Sequence, residues 1–148
     1  MTDRNPWMPD AETALSPLPD ATLLGNVLTV GARLVSGGLL PAEVVEERPG
    51  AYALCLVSRE GTAVRVLHAG DSLEVGRAPA GEGANWQIAD PWMSARHFEI
   101  SVPADGRAGL KAIAAKNGLF VNDRTAGDGT ALRRGDVIRA GTSSFLLL

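Results

Sequence analysis

The stretch His97-Phe98-Glu99-Ile100-Ser101-Val102 places an apolar side chain at every second position. Alternation with a period of two is typical of a β-strand that has one face in the core and the other face polar. The same pattern recurs upstream in Val64-Arg65-Val66 and in Leu73-Glu74-Val75. Several short strands of this kind, closely spaced along the chain, predict an all-β fold.

The rest of the chain after residue 50 shows the same pattern of short apolar runs. Ala51–Ser58 is a strand-like run, and apolar residues around Phe120, Val137 and Phe145 predict further short strands. Glycines separate these runs, which suits tight turns that need a positive φ. We therefore predict a β-sandwich over residues 51–148.

The front of the chain differs from this pattern. Four prolines and scattered acids predict a flexible leader over residues 1–19. A helical extension is predicted over residues 20–48, with Asp20 as the N-cap, Gly37-Gly38 ending a first helix and Pro41 opening a second. The apolar side of the first helix either packs on the sandwich or forms a docking or dimerisation surface, and the sequence leaves both open.

Composition and charge narrow the class of protein. The 148 residues are 45% hydrophobic, which is enough for a core, and the net charge is −3. A weakly acidic chain does not favour nucleic acid as the partner. The single cysteine, Cys55, lies in an apolar run and is predicted to be a buried hydrophobe. His68 and His97 lack the further His and Cys ligands of a zinc site, so no metal or cofactor is expected.

The sequence also bears on location. No basic segment leading into an apolar run marks a signal peptide at the N-terminus. The stretch Ala21–Leu40 is long enough to span a membrane, but it contains Asn26, Arg33 and four glycines, so a span is not expected. The expected location is therefore the cytoplasm, and the preference for Arg over Lys hints at a bacterial source.

Catalysis finds little support in the sequence. Ser94 and His97 are three residues apart, but no third group to orient the histidine is evident, and no Gly-x-Ser-x-Gly motif surrounds the serine. Paired acids and glycine-rich nucleotide loops are not evident either. We therefore expect a binding protein and not an enzyme.

A site for a phosphorylated side chain is better supported. Such a site needs a forked Arg, hydroxyl and N–H donors, and an amide for the neighbouring peptide. The chain offers Arg77 at a strand end, Ser94 in a loop, and Lys116-Asn117-Gly118 in a turn. Taken singly, each is better explained as an ordinary structural residue: Arg77 as a solvated strand end, Ser94 as a turn hydroxyl and Asn117-Gly118 as a plain hairpin turn. The sequence alone does not bring them together.

Four blocks in order, with fitting gaps between them, resemble the forkhead-associated (FHA) domain family. They are Leu73-Glu74-Val75-Gly76-Arg77; Asn85 to Pro91 followed by Met93-Ser94-Ala95-Arg96-His97-Phe98-Glu99-Ile100; Asn117-Gly118-Leu119-Phe120-Val121-Asn122; and Leu132-Arg133-Arg134-Gly135-Asp136-Val137-Ile138-Arg139-Ala140-Gly141. The resemblance runs from about residue 70 to the end of the chain. It implies a β-sandwich of about eleven strands that binds a phosphothreonine peptide across loops at one end.

The resemblance also implies residue roles. Arg77 would pair with the phosphate, Ser94 would give it a hydroxyl hydrogen bond, Lys116 would touch it, and Asn117 would hold the peptide backbone. The structural support of the site would come from a second set of residues: Gly76, Arg96, His97 and Gly118. The partner would be a phosphothreonine-containing protein, namely a Ser/Thr kinase or its substrate.

Some positions depart from the family pattern. Ala115 and Leu119 stand where many members carry hydroxyl residues, Ala95 stands where some carry a polar residue, and Lys111 to Ala115 contains no acid. These losses leave open an alternative, a phosphate-independent interaction or assembly domain on the same scaffold, with self-association through the N-terminal helix. Trp92, near the expected site, is read either as a core residue or as an exposed anchor for a partner.

Overall fold

The computed structural model describes residues 23–58 and 61–148. In chain order its elements are α1 (Leu23–Ser36), α2 (Ala42–Val45), β1 (Ala51–Ser58), β2 (Gly61–His68), β3 (Ser72–Gly76), β4 (Ala84–Gln87), β5 (Phe98–Ser101), β6 (Gly109–Ala112), β7 (Leu119–Val121), β8 (Arg124–Thr125), β9 (Thr130–Ala131), β10 (Val137–Ala140) and β11 (Ser143–Leu147). The predicted leader over residues 1–19 and the predicted N-cap at Asp20 lie outside the described residues. The predicted all-β fold of about eleven strands with a short N-terminal helical extension is confirmed.

The strands form two sheets that pack face to face. One sheet has the order β2-β1-β11-β10-β7-β8 and the other has the order β4-β3-β5-β6-β9. The pairings are antiparallel except for that of β3 with β4, which is parallel. Such sandwiches bury the inner faces of both sheets and leave side chains on the outer faces in contact with solvent.

The main core lies between the two sheets. The predicted alternation of β5 is confirmed, because Phe98 and Ile100 are fully buried whereas Glu99 and Ser101 are half-buried. The ring of Phe98 meets that of Phe145 edge to face, with 5.3 Å between the centroids. Aromatic pairs of this kind contribute about 0.5–1.5 kcal/mol beyond the area that they bury. The period-two pattern of β5 thus corresponds to the inner face of its sheet.

A second apolar cluster lies on the outer side of the six-stranded sheet, where α1 and α2 cover it. Val27, Val30 and Leu34 of α1 are buried there, and Cys55 and Leu146 are among the strand residues that they cover. Burial raises the pKa of the Cys55 thiol to about 12, so this cysteine stays protonated and inert. The helices and the outer face of the six-stranded sheet therefore share a second hydrophobic core.

Polar contacts fasten the extension to the sandwich as well. Arg134, in the turn before β10, donates to the carbonyl oxygens of Ala51 and Arg48 at 2.7 and 2.8 Å. On the same side, Nε2 of His68 lies 3.1 Å from a carboxylate oxygen of Glu43 in α2.

No helix among the described residues is long and apolar enough to cross a membrane.

The strand β4 was not predicted from the pattern of apolar residues. Ala84–Gln87 forms β4, which runs parallel to β3 at the edge of the five-stranded sheet. Because the two strands point the same way, the segments that follow Gly76 and Gln87 leave from the same end of the sheet. The antiparallel strand β5 begins at that end and β6 finishes there, so three loops converge on one end of the sandwich.

Candidate functional site

Arg77 lies at the point where β3 ends. Its backbone N–H donates to the carbonyl of Ser94 at 3.0 Å, and its Nε donates to the carbonyl of Met93 at 3.2 Å. These bonds hold the arginine against the β4–β5 loop, while the residue as a whole stays exposed. Among the described residues nothing hydrogen-bonds to its two terminal nitrogens. The outer edge of the guanidinium is thus available for a forked contact with an anion.

Gly76 permits this close approach. A Cβ on Gly76 would lie 2.2 Å from the carbonyl oxygen of Ala95, a distance at which the backbone would have to move. The strand end and the β4–β5 loop can therefore lie side by side only if a residue without a side chain stands at this position.

Ser94 joins two of the loops. It is buried, with 7% of its surface exposed, and its Oγ accepts a hydrogen bond from the backbone N–H of Lys116 at 2.9 Å. An acceptor bond of this kind leaves the hydroxyl hydrogen free to donate to another group. The hydroxyl is therefore oriented by the β6–β7 loop, and Lys116, whose backbone makes this bond, is exposed.

His97 connects the same two loops through hydrogen bonds of its side chain. It is fully buried; its Nδ1 accepts from the backbone N–H of Ser94 at 2.9 Å, and its Nε2 lies 2.8 Å from the carbonyl oxygen of Gly118. Because Nδ1 is an acceptor here, the ring hydrogen must sit on Nε2, which then donates to Gly118. The imidazole thus fixes the Ser94 loop relative to the turn after Asn117.

Asn117 and Gly118 form that turn. Gly118 has a φ of +89°, which favours glycine, and a Cβ there would also lie 2.9 Å from the ring of Phe120. Asn117 is exposed, and its Nδ2 donates to the backbone carbonyl of Trp92 at 2.9 Å. The amide oxygen of Asn117 has no hydrogen-bond partner among the described residues and is a further polar group of the cluster.

Arg96 lies on the other side of the loop, away from the cluster. Its guanidinium makes two 2.8 Å hydrogen bonds to the carboxylate of Glu74, which is 2% exposed and also accepts from the backbone N–H of Ala80. The hydrogen bond from Arg96 is the main cause that holds the pKa of Glu74 below its ordinary value, and it outweighs the effect of burial. Arg96 therefore ties the β4–β5 loop to strand β3, and the same carboxylate holds the β3–β4 loop at Ala80.

Sequence reasoning missed a second buried acid, Asp90. Its carboxylate accepts hydrogen bonds from the Trp92 N–H, from the N–H and hydroxyl of Thr142, and from the hydroxyl of Ser143, at 2.8 to 3.1 Å. Burial acts to raise the pKa of Asp90, but these donors together hold it below its ordinary value. The Asp90-Pro91 pair was noted only as part of a family pattern, and its partner at the β10–β11 turn is far away in the chain.

The structure also shows where the other positions singled out from the sequence lie: Ala95, Ala115, Leu119 and Trp92. Leu119 is 2% exposed and points into the main core, and Ala115 is half-buried against that core, so neither faces the cluster with a polar group. Ala95 is exposed. Trp92 is 61% exposed, which decides against the reading that it packs in the core. In the described part of the chain, no three His, Cys, Asp or Glu side chains are grouped so as to hold a metal ion.

Comparison with known proteins agrees with this architecture. Residues 73–141 match the family model of the FHA domain. The FHA domain of the CT664 protein from Chlamydia trachomatis superposes with a TM-score of 0.59 at 25% identity, over 66% of this chain and 96% of that one. A search of curated proteins returns no match.

Two further structures are similar to this one. The FHA domain of FhaA, solved in complex with the intracellular domain of Rv3910, superposes with a TM-score of 0.53 at 28% identity, over 66% of this chain and 99% of that one. An FHA domain whose phosphothreonine-dependent interactions were analysed gives a TM-score of 0.55 at 28% identity, over 66% and 94%. The chain therefore carries an FHA domain, which the family model matches over residues 73–141. Domains of this family are interaction modules and not enzymes.

Proposed function

We propose that this protein binds a phosphothreonine on a partner protein, through the four-residue cluster of Arg77, Ser94, Lys116 and Asn117. The observation that carries the proposal is the hydrogen bond from the Lys116 N–H to the Ser94 Oγ, because it orients the serine hydroxyl as a donor. Arg77, whose backbone N–H donates to the Ser94 carbonyl, is exposed, and only its Nε is hydrogen-bonded among the described residues. One fork, one hydroxyl and one ammonium suit a dianionic group with three acceptor oxygens.

The chemistry of the cluster favours an anion on a peptide over a free anion. Asn117 offers an amide beside the cationic groups, and an amide can pair with both the N–H and the C=O of an extended backbone. One of the similar structures is of an FHA domain studied for its phosphothreonine-dependent interactions. Another is of an FHA domain bound to a partner protein. The proposed partner is accordingly a Ser/Thr kinase or one of its substrates, and the proposed location is the cytoplasm, where ATP-dependent kinases act.

The test compares a degenerate phosphothreonine peptide library with its unphosphorylated twin. Wild type should bind only the phosphorylated library. Hydrogen bonds to a charged group contribute about 1.5–3 kcal/mol each. Loss of the two hydrogen bonds of the fork in Arg77→Ala should therefore weaken binding about a hundredfold or more.

A matched control is Arg107→Ala. Arg107 is also exposed, but it lies in the loop after β5, at the opposite end of that strand from the cluster. The control should bind phosphopeptides as wild type does. Equal binding of the two libraries by wild type would refute the phosphate-dependent function.

A second candidate function is phosphate-independent assembly through the helical extension. The observation that favours it is the set of exposed large apolar side chains in that segment: Leu28, Val35, Leu39 and Val45. Leu119, at a position where many relatives carry a hydroxyl, is buried in the core and provides no donor. Sedimentation of wild type and of the double variant Leu28→Glu/Val35→Glu measures this function directly, since an assembly through α1 would dissociate in the variant.

A further inference from the structure

Strand β4 leaves one edge of the five-stranded sheet without a partner among the described residues. It is the end strand of that sheet and pairs there with β3 alone. Just after β4, the Ile88 N–H donates to the carbonyl of Gly76 at 2.8 Å. Backbone N–H and C=O groups of a strand point alternately to its two sides, so those of Asn85 and Gln87 point away from β3.

This edge lacks two of the features that usually protect the edge of a sheet. Strand β4 contains neither a proline nor a charged residue, and it stays in register with β3 over its whole length. The end strands β8 and β9, by contrast, have two residues each. An unprotected edge can bind an extended segment of another protein, because the segment satisfies the free backbone groups.

A cation stands beside this edge. Arg65 belongs to β2, the end strand of the other sheet, and its guanidinium carbon lies 5.1 Å from the centre of the Trp86 ring. The arginine is half-buried, and among the described residues no hydrogen bond or ion pair engages its guanidinium. Burial lowers the pKa of Arg65 from its ordinary value. The guanidinium has thus lost part of its water without gaining an anion, so a carboxylate beside it would be favourable.

An added strand would bring a side chain to this cation. Neighbouring strands lie about 4.8 Å apart, and residues directly opposite each other point to the same face of the sheet. Trp86 points to the inner face and is 5% exposed. The residue opposite Trp86 in an added strand therefore points to the side on which Arg65 lies. An acidic side chain would be attracted there, and a basic one would be repelled.

The composition of β4 does not suit a second copy of this chain as the occupant. Two β4 edges paired with each other would present only alanine, asparagine, tryptophan and glutamine to one another. Such a pair would bring no carboxylate to Arg65. The charge beside the edge therefore favours a different protein with an acidic residue in an extended segment.

We propose that the outer edge of β4 is a second binding site, which takes an extended acidic segment of a partner protein as an added strand. The backbone groups of Asn85 and Gln87 make the hydrogen bonds, and a Glu or Asp opposite Trp86 pairs with Arg65. The site lies on the side of the sandwich and uses none of the four residues proposed to bind phosphothreonine. It therefore goes beyond the proposed function and does not depend on a phosphate.

The experiment uses the full chain and a library of short, unphosphorylated peptides without Cys or Pro. The selected peptides should carry Glu or Asp at one position. One such peptide and its twin, with Gln or Asn at that position, are then titrated. Wild type should prefer the acidic peptide about tenfold, because hydrogen bonds to charged groups are strong. The preference should fall below twofold in Arg65→Gln and persist in part in Arg65→Lys.

Arg124→Gln is the matched control for charge. Arg124 is exposed on β8, which is also an end strand but lies at the opposite edge of the six-stranded sheet from β2. This variant should keep the full preference for the acidic peptide.

Hydrogen exchange tests the backbone part of the site. Binding of the acidic peptide should slow exchange of the Asn85 and Gln87 amides about tenfold or more, as followed by NMR. Methylation of the peptide nitrogens that face β4 should abolish binding, because a methylated nitrogen cannot donate a hydrogen bond.

Several results would overturn the proposal: selection of no peptide, equal affinity for the two twins, or unchanged exchange at Asn85 and Gln87. A dimer in sedimentation that the acidic peptide dissociates would identify a second copy as the occupant instead. Stronger self-association of Arg65→Gln with an unchanged acidic preference would mean that Arg65 only protects the edge. Thermal unfolding of each variant shows whether a lost preference reflects a lost fold.

Discussion

The two outer regions of the sandwich are built in opposite ways. At the loop end, single hydrogen bonds of 2.8–2.9 Å join His97 to Ser94 and Gly118, Ser94 to Lys116, and Asn117 to Trp92. On the outer sheet face, α1 is held mainly by apolar burial of residues such as Val30 and Leu34. Hydrogen-bond networks specify geometry, whereas apolar burial supplies stability. Binding and stability should therefore respond to different substitutions.

The largest expected effect comes from His97→Ala, because this residue is fully buried and also belongs to the hydrogen-bond network of the loop end. The change leaves a cavity in a fully buried site and removes the partners of the Ser94 N–H and the Gly118 carbonyl. We expect a loss of about 3 kcal/mol in the free energy of unfolding. Phosphopeptide binding should fall with it, as measured by urea denaturation and by fluorescence anisotropy.

The chain offers a matched control in its other histidine. His68 is exposed and pairs with Glu43 at the surface. His68→Ala should change the free energy of unfolding by less than about 1 kcal/mol and leave binding alone. If both histidine variants behaved alike, the bracing role of His97 would be wrong.

Val30→Ala should affect stability without affecting binding. Val30 is 2% exposed in the cluster beneath α1, and removing two buried carbons costs about 2 kcal/mol. Urea denaturation should show the loss, while affinity for a phosphothreonine peptide stays within twofold of wild type. The exposed Val35 of the same helix provides the control, since Val35→Ala should cost much less. A loss of affinity in Val30→Ala would show that the two regions are coupled.

Ser94→Ala should weaken binding much more than it lowers stability. It removes the proposed phosphate donor and the acceptor of the Lys116 N–H. We expect affinity for a phosphothreonine peptide to fall about tenfold or more, and the free energy of unfolding to fall by only about 1 kcal/mol. Calorimetric titration and urea denaturation measure the two effects, with Ser36→Ala at the exposed end of α1 as the control. Unchanged affinity in Ser94→Ala would argue against the hydroxyl as a ligand.

The smallest effect concerns pH. The pKa of Glu74 is held below its ordinary value by the hydrogen bond from Arg96, so the pair stabilises the folded state above pH about 4.3. That contribution is lost as the pH falls through the lowered pKa of the folded state. Between pH 7 and pH 3 the unfolding midpoint should therefore drop less in Glu74→Gln than in wild type. Thermal scans at both pH values would reveal an equal drop if the pair contributes nothing.

Several elements could not be foreseen from local sequence. The strand β4 is short and lies at an edge, so only Trp86 and Ile88 of its neighbourhood are buried, and no alternation long enough to detect results. The hydrogen bonds of Asp90 join residues more than 50 positions apart. Neither the orientation of Arg96 toward Glu74 nor the exposure of Trp92 follows from spacing, because both depend on how loops cross in space.

The sequence by itself determined the class of fold and the chemical types available for a site. Strand alternation, glycine turns and ordered motif blocks are local patterns, so the sandwich and the candidate residues Arg77, Ser94, Lys116 and Asn117 could be identified from them. Only the tertiary structure decided that these residues lie together, that α1 covers the outer sheet face, and that Trp92 is exposed beside the cluster. Those facts depend on contacts between distant segments, which form only when both sheets pack and bring the loops to one end.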